Sequence, residues 1–411
     1  MTRDRAPSTG LNSARVAIGV CVALFALGQF HRAAGSVFSP IVIERFALSA
    51  SAVGLLVSTL FFASVVAQVP AGVWLDRVGP RRALLVSSAC VALGTLGFAL
   101  ADSPAGLMAS RATIGLGMAA IGAGSQVLLA RSVPARQFGY ANGLVVSLGG
   151  VGGLLGTFPL AVALGAFAWS TVFAAVAFVS VLIAVAIHRA VAEPPTPQPT
   201  SSSAGRGLGV RRVLAQPDVG RILALAVVSY APITTVTGLW GGPYLQTVYR
   251  FDPARAGAVL MLFFAATIAA GYSFGVLDRS VRRRRRLIVV SALVSVGSLL
   301  CLAVWPDVRA ELAIALLLLM VFSQQYYVPL SAHLRRVVAP EGLGRAVAVF
   351  TFVAVLAIPV MQTGFGLVLD LAAALGWPPR EQYRLAFAAM AAVIAVCTAV
   401  YAGSRNADEA D

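Results

Sequence analysis

The sequence predicts an all-α membrane protein with twelve transmembrane helices in two six-helix bundles, on three observations. Mean hydropathy is +0.86, with 59% hydrophobic and 11% charged residues. A soluble fold of 411 residues with that composition lacks the polar surface to cover itself, so lipid must do the covering. Apolar windows of about 20 residues, the length that crosses a bilayer, recur twelve times along the chain. The cluster Leu75-Asp76-Arg77-Val78-Gly79-Pro80-Arg81-Arg82 closes the second window, and a relative, Leu277-Asp278-Arg279-Ser280-Val281 followed by 282–286, closes the eighth. The chain therefore reads as two related halves, and such duplication implies a solute path between two pseudo-equivalent helical bundles.

Taken in order, the spans of the first half are 16–40, 52–73, 83–101, 105–129, 141–164 and 167–187, and those of the second are 220–246, 255–276, 287–305, 310–333, 345–369 and 384–402. The first follows a polar, charged leader and is too long for a cleavable signal, so it reads as a retained helix. Ala34-Gly35-Ser36 and Pro40 interrupt it, and Gly238-Leu239-Trp240-Gly241-Gly242-Pro243-Tyr244 interrupts the seventh at the corresponding place. Paired breaks of this kind point to a binding site and to gating bends. On the fourth span Arg111, Gly115, Met118, Gly122 and Ser125 share a face of mostly small residues that permits close helix approach. Ser323, Gln324, Gln325, Tyr326 and Tyr327 place a polar cluster deep in the tenth span, and Gln362 adds an amide to the eleventh. Residues 191–209 are rich in proline, serine and glycine, which predicts a flexible linker. The expected organisation is a bundle over 1–188, a cytoplasmic linker over 189–219 and a second bundle over 220–411.

Charge sets the expected orientation. All 31 basic residues are arginines, and most, including Arg15, Arg77, Arg81, Arg82, Arg131, Arg136, Arg189, Arg335, Arg336 and Arg345, fall in loops on one side. The other side carries Arg45, Arg250, Arg255, Arg309, Arg380 and Arg384. Basic loops stay in the cytoplasm, so both termini are expected there, in a multi-pass protein of the cell (inner) membrane. The net charge of +15 is spread over short loops with no stripe of interleaved aromatics, which argues for anionic lipid headgroups as partners and against nucleic acid. Cys21, Cys90, Cys301 and Cys397 lie inside apolar spans and read as small core residues. His31, His188 and His333 are too scattered for a metal site, and no Walker loop or nucleophile elbow is present, so no enzyme is expected.

Gly72, Asp76, Arg77, Gly79, Arg81 and Arg82 resemble the signature of the loop between the second and third helices of the major facilitator superfamily. Twelve spans, a central linker and the degenerate second copy at Asp278-Arg279 extend the resemblance over essentially the whole chain. It implies a cytoplasmic latch between the halves, with Asp76 pairing with arginines and a helix N-terminus when the carrier faces outward. The bland alternative is that Arg77, Arg81 and Arg82 set topology and bind lipid.

His31, Arg32 and Arg111 are the ionisable residues well inside the apolar windows. A mid-membrane arginine costs about 2.5 to 3.5 kcal/mol even on insertion scales, so each is expected to face a polar cavity or to pin helices. Gln29, Arg32 and Ser36 fall on one helical face. Arg32 and Arg111 also resemble the arginines of the superfamily's anion:cation symporters, which implies an organic-anion solute held by bidentate guanidinium bonds. That group's carboxylates are absent, with His31 and Met118 in their places, so His31 is the candidate for proton coupling, or else a packing residue. Tyr230, Trp240, Tyr244, Gln324, Gln325, Tyr326 and Gln362 complete the candidate solute contacts, some of them alternatively holding helices together. The reading is a monomeric secondary transporter for a small anion, working by alternating access, without cofactor and open to proton coupling. Its rival is a proton-coupled drug or metabolite exporter: the fifth span keeps Gly143, Gly152 and Gly156 of the exporter signature, but Thr157 stands where its proline belongs.

Overall fold

The computed structural model describes residues 8–191, 216, 218–280, 284–305, 307–339 and 342–404. Twelve of its helices are long and apolar enough to span a membrane, and among the described residues there is no strand. The linker expected over 189–219 lies almost wholly outside the described residues, as do Arg282 and Arg283. The chain divides into two compact units, residues 1–32 with 59–198 and residues 33–58 with 199–411.

In the first unit, the helix Ser8–Ala33 meets Pro104–Ser132, where Cys21 Sγ donates to Ser125 O at 3.6 Å, and Pro80–Leu100, where the His31 ring lies 3.2 Å from Thr95 Oγ1. The fifth span is segmented into Ala135–Gly149, Val151–Leu155 and Phe158–Ala166. Its interruption at Gly156-Thr157 precedes Pro159, which lacks an N–H, and the Thr157 hydroxyl donates to Leu154 O at 2.6 Å. Small residues bring the helices together: a Cβ on Gly152 would overlap the Ala26 carbonyl, and one on Gly115 the Leu60 carbonyl. The third and sixth spans are tied at both ends. Trp169 Nε1 donates to Phe98 O at 2.9 Å with Phe173 closing the aromatic cluster, and Arg81 Nη2 donates to His188 O at 2.6 Å near the end of Trp169–Ala190.

The second unit repeats that arrangement with different residues. Arg384 Nε and Nη2 donate to Ala303 O and Val304 O at 2.7 and 2.9 Å, tying Pro379–Ala402 to the end of Arg284–Val304. At the opposite end Arg285 donates to Ala402 O, as Arg81 does to His188 O in the first half. Arginines near the last carbonyls of a helix offset both unsatisfied acceptors and the macrodipole.

Three spans are broken where the second unit is built. The first continues, after a turn at Ala34, as Gly35–Phe46, which belongs to this unit together with the start of Ala50–Val78. The seventh is segmented into Val219–Val227, Ala231–Thr235, a π-turn over Val236–Trp240, and Gly241–Tyr249. Sequence placed its interruption at 238–244; the actual gap is at 228–230, because Pro232 cannot supply the N–H that Val228 O would accept in a continuous helix. Tyr326 Oη donates to that carbonyl instead at 2.9 Å, from a 3-10 turn at Gln324–Tyr326 that divides the tenth span into Ala310–Ser323 and Tyr327–Val337.

Gly152→Ala should lower the thermal stability of purified protein by about 1–3 kcal/mol, since the helices must part to admit the methyl. Gly122→Ala, which meets open space, should leave the unfolding midpoint in detergent unchanged.

Candidate functional site

The two mid-span arginines have different surroundings. Arg111, in the fourth span, is 1% exposed, and its Nη1 donates to the His31 carbonyl at 3.1 Å. That carbonyl lies in the last turn of Ser8–Ala33, where the break at Ala34 ends the helical ladder and leaves acceptors over. A guanidinium placed there fills the role of a C-terminal cap. The His31 ring is 2% exposed, with Nε2 at 3.2 Å from Thr95 Oγ1. The Thr95 hydroxyl hydrogen is committed to Val91 O at 2.7 Å, so the network assigns the shared proton to His31 Nε2, which donates to Thr95. Arg111, His31 and Thr95 thus join the first, third and fourth spans. Thr95 was not singled out in the sequence, where a threonine on an apolar helix gives no signal.

Arg32 is half-buried, and its Nη1 donates to Gln29 Oε1 at 3.1 Å, one turn back on the same helix. Its Nε is buried without a hydrogen-bond partner, and no acid pairs with it among the described residues. The guanidinium therefore keeps donors that no acceptor among the described residues uses, at the last turn of the helix and beside half-buried Gln29.

The second unit sorts the remaining candidates. Ser36, Trp240 and Gln362 are sealed: Ser36 Oγ donates to Val236 O at 3.3 Å, Trp240 Nε1 to Gln362 O at 3.0 Å, and Gln362 Nε2 to Thr234 O at 3.0 Å. Trp240 also stacks on Phe365. Tyr244 is 5% exposed, and its hydroxyl donates to Tyr249, whose own hydrogen goes to Val308 O at 3.0 Å. Tyr326 is consumed by the Val228 carbonyl, and Gln324 and Gln325 are buried in the same 3-10 turn. Tyr230 is half-buried at the gap in the seventh span, 6.1 Å from the half-buried ring of Tyr327. Among these candidates Gln29, Arg32 and Tyr230 are the ones left partly exposed.

Of the loop residues, Gly79 has φ +81°, a left-handed conformation that suits glycine, and turns the chain into Pro80–Leu100, while Gly72 meets nothing a Cβ would touch. Asp76 and Arg77 are exposed, and Asp76 forms no ion pair among the described residues. Arg81 holds the His188 carbonyl, and Arg82 is exposed. In the second copy Asp278 pairs through both carboxylate oxygens with Arg284; the side chain of Arg279 lies outside the described residues.

Known proteins place this geometry in a family. The model of the Major Facilitator Superfamily matches residues 18–358. A probable chloroplastic anion transporter of Arabidopsis thaliana is 33% identical over 138 residues, 32% of this chain and 25% of the relative. A probable sulfoacetate transporter of Cupriavidus necator is 24% identical over 163 residues, 40% of this chain and 38% of the relative. The aligned stretches thus span well under half the length of either curated relative. Among solved structures, a bacterial homologue of the human lysosomal transporter Spinster, in an inward-facing and unoccupied conformation, superimposes with a TM-score of 0.81 at 15% identity over 97% of both chains. A D-xylose-proton symporter does so with a TM-score of 0.71 at 15% identity, covering 93% of this chain and 97% of the other. At these identities the structural likeness establishes the fold.

Arg111→Ala should destabilise the folded protein by about 2–4 kcal/mol, from the cavity and the unserved His31 carbonyl. Arg32→Ala should change stability by less than about 1 kcal/mol. Thermal unfolding of the two variants in the same detergent separates a pinning arginine from an available one.

Proposed function

The chain belongs to the major facilitator superfamily, and from that premise we propose that it is a secondary carrier moving a small carboxylate or sulfonate across the cytoplasmic membrane by alternating access. The observation that carries the anion assignment is the state of Arg32: a half-buried mid-span guanidinium that holds only its neighbour Gln29 and faces no acid among the described residues, while Arg111 is fully enclosed and donates to the His31 carbonyl. A buried cation is retained against its insertion cost when it has a partner, and the missing partner here is the cargo. The printed names of the two curated relatives, an anion transporter and a sulfoacetate transporter, support the same solute class. Gln29 orients the guanidinium, and its planar donors match the paired oxygens of a carboxylate or sulfonate.

The arginine bias of the loops supports cytoplasmic termini. His31, enclosed and donating to Thr95, serves helix pinning in this reading, which leaves proton coupling without a relay on the first span. Asp76, exposed and without an ion pair among the described residues, is the latch that engages when the arginine-rich side closes.

The test is ligand-induced stabilisation of purified protein across carboxylates, sulfonates, phosphate and organic cations. Binding raises stability in proportion to the logarithm of ligand excess over its dissociation constant. Small carboxylates or sulfonates should raise the melting temperature of the parent protein and leave Arg32→Ala unmoved; an equal shift in Arg32→Ala refutes the assignment. In liposomes, Asp76→Asn should slow uptake several-fold at unchanged insertion.

A further inference from the structure

Two interrupted spans of the second unit meet at their interruptions. Tyr326, in the 3-10 turn of the tenth span, donates through its hydroxyl to Val228 O at the gap of the seventh, at 2.9 Å. That bond sets the two breaks in register. It brings together Tyr230, which precedes the helix Ala231–Thr235, and Tyr327, which opens the helix Tyr327–Val337. Their ring centroids are 6.1 Å apart, with the planes inclined at 48°. Tyr230 lies about ten residues into Val219–Tyr249 and Tyr327 about ten residues from the end of Ala310–Val337, so both stand about 15 Å along their helices, near the middle of a hydrocarbon core about 30 Å thick.

Both rings are half-buried. A tyrosine open to lipid belongs at headgroup level, where its hydroxyl finds water, and these two are at mid-depth. The seventh span is also the most enclosed of the twelve, with 78% of its apolar window buried, so the open side of the pair belongs to the inner face of its unit. The Tyr327 ring packs at 5.3 Å on Phe350, which is 1% exposed, and its plane is thereby held from behind. Two fixed π-faces form a notch. A third ring inserted between them would need about twice the spacing of a stacked pair, so an arriving ring packs across the open edge of the notch, edge to face. We propose that Tyr230 and Tyr327 form a subsite for a planar aromatic ring, and that the cargo is an aromatic carboxylate or sulfonate. This rests on the anionic-carrier reading and narrows it.

The test compares the dissociation constants of benzoate and cyclohexanecarboxylate for the detergent-purified protein. The two acids share a charge and nearly a size, and differ in the π-system. Two favourable ring contacts should make benzoate about tenfold the tighter ligand of the parent. Tyr230→Leu and Tyr327→Leu keep apolar bulk without a ring, and should bring the ratio to within about twofold. Tyr230→Phe and Tyr327→Phe keep the ring and should retain the preference. Equal affinity for the two acids in the parent overturns the subsite without need of any variant. So does a preference that survives both leucine variants, or one lost in the phenylalanine variants, which would make the hydroxyls responsible. Undiminished benzoate affinity in Arg32→Ala overturns the anion assignment alone, and failure of both acids to bind the parent overturns both readings.

Discussion

The absence of water in hydrocarbon governs this structure: wherever a spanning helix is interrupted, a side chain must satisfy the backbone group the interruption strands. Arg111 serves His31 O, Tyr326 serves Val228 O, Gln362 serves Thr234 O, and Asp370 serves the N–H groups of Ala50 and Ser51. Most polar residues embedded in the spans are thereby assigned to architecture. The breaks that let helices bend and the polar residues that permit the breaks are one design. Arg32 stands apart as the half-buried mid-span cation that serves no backbone group and holds only Gln29 on its own helix.

The same constraint explains how the two halves share geometry without sharing sequence. The third span is fastened to the sixth by Trp169 and Arg81, and the ninth to the twelfth by Arg384 and Arg285. In each half the acceptors are backbone carbonyls at or near helix ends, so the chemistry required is a donor of the right reach. Trp and Arg both supply it, which is why the pairing survives a change of residue type.

Twelve spans, their duplication, the break in the first and the fact that the seventh is broken, though not the position of its gap, were legible because hydropathy and Gly/Pro placement report directly on lipid burial and helix continuity. The roles of Trp240, Tyr244 and Gln362 were not, since a polar residue on an apolar helix can face solute or a neighbouring carbonyl with equal sequence signal. Glycines at 238 and 242 read as breaks and turned out to be points of close backbone approach. Pro232, the residue that does open the seventh span, was visible and passed over. Asp370 looked like an ordinary acid near a span end; its partners lie more than 300 residues away, beyond any local pattern.

The proposed cargo site is decided by an experimental structure of the protein at saturating concentration of a stabilising carboxylate or sulfonate. If Arg32 holds an anionic cargo, the anion's oxygens will lie within hydrogen-bond distance of its guanidinium, with Arg111 still on the His31 carbonyl. An anion bound elsewhere, with Arg32 turned to lipid headgroups or closed onto a protein acceptor, would contradict it.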